Sequence, residues 1–236
     1  MKISNKLLRI ALVIPFLVIL VVIIYLRLAF NSAVRDAGDN PTHYSDEIIT
    51  SKYDFNEFSR LKFRGDWQIA VTSGDDYQIT VIGPEYRVEA LNIEKRGDQL
   101  RLTESIFRKG GPRRLEIEIS MPELTQLSAD GMSKIYLYDF TAKELEIDLK
   151  GAGRLIGDGN NIIDLELSCA GGIDIDLANS EITNADINLV GASKAELNMA
   201  GGELTGHVTG ASSVTYYGDV RVQDVRTTGG SSVRKK

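Results

Sequence analysis

Three acidic residues set twenty positions apart, Glu146, Glu166 and Asp186, are the arrangement in this chain best suited to chemistry. Carboxylates stacked that closely repel one another. Such a row takes up calcium, is relieved by a nearby base such as Lys150, or splays into water. It is read as a weak metal candidate and chiefly as a solvated face, because neither an EF-hand loop nor a glycine-rich calcium nonapeptide occurs. Clustered carboxylates are also what a polysaccharide-cleaving enzyme uses as acid and base. The pairs Asp75-Asp76 and Asp174-x-Asp176 read instead as turn and outer-face residues. His43, His207 and the single Cys169 are too few and too scattered for a zinc site or a nucleophile-histidine set. The reading is therefore no catalytic residues, no cofactor and no enzyme. Tyr136, Tyr138, Tyr216 and Tyr217 offer faces on which a sugar would stack, but Tyr216 shares the phase of inward residues and core packing is the simpler role.

These residues belong to an internal repeat. Glycines recur at Gly131, Gly151, Gly171, Gly191, Gly210 and Gly229, with spacings of 20, 20, 20, 19 and 19. Four places before them stand Leu127, Ile147, Leu167, Ile187, Gly206 and Val225, and four places after them Ile135, Leu155, Ile175, Ala195, Val214 and Val233. A period of two nested in a period of about twenty predicts strands with one buried face, covered by neighbouring copies of the same unit. An antiparallel barrel or sandwich also alternates, but would not keep residue class in phase over a fixed period. The expected fold is therefore all-β, a parallel, right-handed β-helix or solenoid with coils of about twenty residues. The glycines are assigned to corners where the backbone turns or passes close to its neighbour. Two places later, Ser133, Ser193, Ser212 and Ser231 predict a serine stack bonded to backbone groups. Cys169 falls in an inward column and is expected to be buried and inert.

Upstream, Leu61 and Phe63, then Trp67, Ile69 and Val71, then Tyr77, Ile79 and Val81 alternate as half-buried strands, and no segment there reads as a helix. Gly97-Asp98 marks a turn, and 108–114 is a basic Gly-Pro loop. At the N-terminus, Lys2, Lys6 and Arg9 precede an apolar run from Ile10 to Leu26. That pattern predicts a transmembrane signal anchor over 1–30 with the remainder outside the cytoplasm, periplasmic or at the surface; a cleaved signal and secretion is the competing reading. Residues 31–54 read as a flexible linker and 55–236 as the β-domain. A net charge of −6 without a basic run in the repeats argues against nucleic acid as partner.

The units Gly191-Ala192-Ser193, Gly210-Ala211-Ser212 and Gly229-Gly230-Ser231, the segment Met121-Pro122-Glu123-Leu124, and Phe58-x-x-Leu61 followed by Gly74 and Tyr77 resemble the putative auto-transporter adhesin head GIN domain. The resemblance covers about Phe58 to Val233. Gly131-Met132-Ser133 and Gly171-Gly172-Ile173 depart from the common unit while keeping its first glycine. What it implies is an exported β-helical domain with adhesion proposed and no catalytic residues to transfer. Three functions follow as expectations. The first is a membrane-anchored extracytoplasmic interaction module, adhesin-like, with a glycan or an envelope protein as partner. The second is an envelope structural protein that self-associates through its ends into a homo-oligomer. The third is a carbohydrate-active enzyme.

Overall fold

The computed structural model describes residues 47–104 and 114–236, all within the second of the two units into which the chain divides, Ser45–Lys236. The first half of this unit holds β1 (Ile48–Tyr53), β2 (Arg60–Gly65), β3 (Trp67–Ser73), β4 (Gln78–Pro84), α1 (Glu85–Glu89), β5 (Leu91–Arg96), β6 (Gln99–Glu104) and β7 (Leu115–Met121). The second half holds β8 (Gln126–Gly131), β9 (Lys134–Tyr138), the long, bent β10 (Thr141–Gly191), β11 (Lys194–Ala200), β12 (Glu203–Gly210), β13 (Ser213–Asp219), β14 (Val222–Gly229) and β15 (Ser232–Lys235). Among the described residues all fifteen strands join one sheet, whose main path runs β1-β4-β7-β3-β9-β10-β8-β2-β6-β5.

The chain is all-β as expected, but the regular parallel β-helix is not what forms. The sheet is mixed and open, a half-barrel. Strand β4 runs antiparallel to both β1 and β7, and β5 is antiparallel to β6. The physical reason is plainest at β5 and β6. Arg96 pairs with Gln99, so only Gly97 and Asp98 connect the strands, and a two-residue turn joins antiparallel strands but never parallel ones. Gly97 supplies the positive φ of +62° that this turn demands. Parallel pairing dominates the rest. Partners there are offset by 20 residues from β8 and β9 to β10, and by 19 from β12 to β14 and β13 to β15.

Two further expectations change, and a third falls outside the described residues. The segment Glu85–Glu89 is a short helix that follows Pro84, whose φ of −56° leads into it; five residues are too few to show a helical apolar period. Ile48–Tyr53, placed in the linker by its composition, forms β1 against β4. The expected membrane segment 1–30 lies outside the described residues, and among the described residues no helix is long and apolar enough to cross a membrane.

The core follows the period of two. Leu61 pairs with both Leu100 and Leu127, and Leu127 with Ile147, all fully buried. Each such side chain stabilises the fold by roughly 1.5–3 kcal/mol. Trp67 is fully buried, and a Cβ on Gly65 would lie 2.3 Å from its ring, so the glycine makes room for the indole. The Trp67 Nε1–H donates to Glu104 Oε2 at 3.0 Å, and Arg87 of α1 donates to both oxygens of the same carboxylate at 2.7 and 2.8 Å. This pair, with Glu104 buried and Arg87 half-buried, ties the helix to the end of β6. The Glu104 hydrogen bonds hold the Arg87 guanidinium above its ordinary pKa.

Candidate functional site

An open groove of about 470 Å³ runs across the outer face where β10 lies beside β12. Alternation builds it. Leu145, Leu165 and Ala185 point inward and are buried, so the residues on either side of each project outward. One wall carries Glu146, Glu166, Asp186 and Thr205, and the other Glu144, Asp164, Asn184 and Glu203. The first wall is the row singled out in the sequence. The second was missed, although the same glycine alignment read two residues further back would have found it.

Neighbouring side chains relieve Glu146, Asp164 and Glu203. Gln126 Nε2 donates to Glu146 Oε2 at 2.9 Å, Asn184 Nδ2 donates to Asp164 Oδ1 at 2.8 Å, and Arg221 pairs with Glu203. Lys150 does not serve the row, because it pairs at 2.9 Å with Asp148, whose hydrogen bond and then charge raise the ammonium's pKa. Among the described residues no three acidic, histidine or cysteine side chains converge as a metal shell. The outward carboxylates line an extended acidic groove.

The glycines Gly131, Gly151, Gly171, Gly191, Gly210 and Gly229 all have positive φ, between +80° and +135°. A Cβ on each would fall within 2.6 Å of the carbonyl oxygen of a stacked glycine, Gly65 for Gly131 and the preceding repeat's glycine for the others. The serines beside them bond to backbone. Ser133 Oγ donates to the Gly65 carbonyl at 3.1 Å, Ser193 Oγ donates to the Gly171 carbonyl at 3.2 Å, and the Ser193 N–H donates to Ser212 Oγ at 3.1 Å. One buried polar cluster escaped the sequence reading. Asn160 accepts from the Phe140 N–H at 3.0 Å and donates to the Leu137 carbonyl and to Ser180 Oγ at 3.0 and 2.9 Å. Gly157 leaves space for it, since a Cβ there would meet Asn160 at 2.9 Å. The signal lay nine places after the repeat glycines, where Phe140, Asn160 and Ser180 fall in one column.

The remaining reactive groups stand apart. Cys169 is buried, and desolvation followed by the Asp148 charge pushes its thiol up to about 12. His207 is exposed and His43 lies outside the described residues. Tyr216 points inward and donates its hydroxyl to Gln223 at 2.6 Å, whereas Tyr217 points outward and donates to Glu196 at 3.3 Å. Tyr136 and Tyr138 are both half-buried on the outward side of β9.

The sequence from 57 to 220 matches the family model described as "Putative auto-transporter adhesin, head GIN domain". No curated protein shows a match. The fold resembles that of a putative adhesin from Bacteroides fragilis, with a TM-score of 0.65 at 17% identity over 82% of this chain and 99% of that one. It also resembles a putative lipid binding protein from Parabacteroides distasonis, with a TM-score of 0.50 at 16% identity over 80% of this chain and 97% of that one. Identities this low speak for the fold alone. The names in this group are those of adhesins or lipid-binding proteins and not of enzymes.

Proposed function

We propose that this chain, which belongs to the family described as putative auto-transporter adhesin, head GIN domain, works as an extracytoplasmic, adhesin-like interaction module. Its N-terminal apolar run holds it at the membrane, and its outer sheet face makes contact with a glycan or an envelope protein. The observation that carries this reading is the groove of about 470 Å³, in which outward side chains from successive passes of the chain form two rows on a rigid sheet. A surface built that way suits extended recognition better than turnover of a single bond. Its acidic rows disfavour nucleic acid and other polyanions.

The test is the full-length chain in mild detergent, coated on beads and offered envelope fractions and a glycan array with and without calcium. Saturable capture is expected, and substitution of Glu146, Glu166 and Asp186 together by their amides should change it. Absence of saturable capture, or turnover of a glycan, overturns the reading. A second reading is self-association. Among the described residues β14 pairs only with β12 and β15 only with β13, leaving two strand edges open to another copy. Concentration-dependent mass by light scattering would favour it.

A further inference from the structure

We propose that the outer face of β4, β7, β3 and β9 is a platform for a neutral oligosaccharide, with Tyr136 and Tyr138 as its stacking wall. This adds a second contact surface, with its own ligand class, to the interaction module above and rests on that reading. It concerns a different part of the surface from the acidic groove.

Ile135 and Leu137 are buried, which turns Lys134, Tyr136 and Tyr138 to the outside of β9. The two tyrosine rings are parallel to within 7°, with centroids 6.1 Å apart. Lys134 Nζ sits 4.9 Å from the Tyr136 ring centre, so cation, ring and ring follow one another along the strand. Nothing in the core calls for two aromatic rings here. Tyr216 shows the alternative, inward and buried.

The neighbours on β3 are small. Ala70 pairs with Tyr136 and Thr72 with Tyr138, so no long side chain covers the flank of either ring on that side. Beside them lies a hollow of about 230 Å³ whose polar lining includes Thr72, Gln78, Thr80, Glu118 and Ser120. The register sets these groups in two rows. Thr80, Glu118, Ala70 and Tyr136 lie across the strands in one, and Gln78, Ser120, Thr72 and Tyr138 in the next. A second hollow of about 340 Å³ shares Gln78 and Thr80 and continues to Lys52 on β1. From β9 to β1 is four strand spacings, about 19 Å, which suits a chain of sugars better than one.

The chemistry of this face fits a pyranose. Its C–H face packs on an aromatic ring, and its hydroxyl rim needs groups that both donate and accept. Gln78, Thr80, Ser120 and Thr72 do both, and Glu118 accepts. Among the described residues the charged groups lining the two hollows are Lys52, Asp54 and Glu118, with Lys134 and Asp158 beside the rings. That leaves little net charge to recruit an anionic polymer.

The experiment uses the full-length chain in detergent on an array of neutral cello-, xylo-, manno- and lacto-series oligosaccharides, with affinities of the hits taken by calorimetry. Tyr136→Ala and Tyr138→Ala are each expected to weaken binding about tenfold, the scale of one lost stacking contact. Tyr136→Phe keeps the ring and should bind as the parent does. Gln78→Ala, on the opposite side of the hollow, should weaken binding without touching either ring. Unchanged thermal melts establish that the variants fold. Hits bound equally well by Tyr136→Ala and Tyr138→Ala overturn the platform and leave the interaction module standing. Capture of an envelope protein without any neutral glycan overturns the ligand class only, whereas no saturable partner of any kind overturns both.

Discussion

The sharpest test of the fold sets two adjacent glycines against each other. Gly171 has a φ of +135°, and a Cβ there would lie 1.9 Å from the Gly151 carbonyl oxygen. Gly172 has an ordinary φ, and a Cβ there meets nothing within 4 Å. Gly171→Ala must hold an L-residue in a sparsely populated backbone region, at about 1–3 kcal/mol. It must also push two stacked backbones apart, at about 1–3 kcal/mol more. The expected loss is about 2–6 kcal/mol, out of a total stability on the order of 5–15 kcal/mol. For a domain of this size that lowers Tm by about 5–20 °C. Gly172→Ala should stay within about 0.5 kcal/mol of the parent. Thermal and urea melts of the full-length chain by circular dichroism measure both. Should Gly171→Ala not accumulate, Gly229→Ala is the milder probe, because its Cβ would sit 2.6 Å from the Gly210 oxygen and, among the described residues, β14 pairs with β12 alone. Equal melts for the two alanine variants, or a greater loss at 172, would refute the close-approach account of these glycines.

Other consequences are equally open to measurement. Glu104→Gln removes the charge that accepts from both Trp67 and Arg87 and should cost about 1.5–3 kcal/mol, whereas Glu94→Gln, which removes an exposed pair with Arg96, should cost under about 1 kcal/mol; urea unfolding separates them. The Cys169 thiol lies at about 12 against an ordinary 9.0, which implies a roughly thousandfold lower thiolate fraction near neutral pH. A disulfide reagent at pH 8 should therefore label it only on unfolding. The same shift makes the neutral thiol the form the fold prefers, so its contribution is fully present below pH 9 and is lost as pH rises toward 12. Glu166→Gln should raise stability by about 0.2–1 kcal/mol in low salt by relieving the row, and the gain should vanish in 1 M salt, where screening acts within about 3 Å.

What the sequence made legible is what a period can encode. Alternation assigned Leu127, Ile147, Leu167 and Ile187 to the interior, and the glycine spacing of 20 and then 19 reappears as the offset between parallel partners. Strand direction is a different matter. A period of two is the same in parallel and antiparallel strands, so Gln78–Pro84 and Leu91–Arg96 gave no sign of running against their neighbours. Only the two-residue turn at Gly97-Asp98 carried that information, and it governs one pair of strands. Ile48–Tyr53 was hidden for a related reason. It is an edge strand with a half-buried face, and its composition differs little from that of the polar stretch before it. Asn160 and Ser180 share a column with Phe140, but their burial follows only from partners, each other and nearby backbone, that exist once the passes of the chain lie side by side.

The corners and the outer surface are therefore one problem. Gly131 turns the chain against Gly65, and Ser133 ties the same corner to the Gly65 carbonyl, one residue before β9 begins. That corner sets the phase of Lys134–Tyr138. A slip of one residue would turn Tyr136 and Tyr138 into the core and expose Ile135 and Leu137, since successive side chains take opposite faces. The parallel rings on β9 and the acidic rows on β10 thus depend on close backbone contacts that lie beneath neither surface. A partner reading the outer face reads a register fixed at the glycines, so substitutions there should disturb recognition along the whole row and not at one contact.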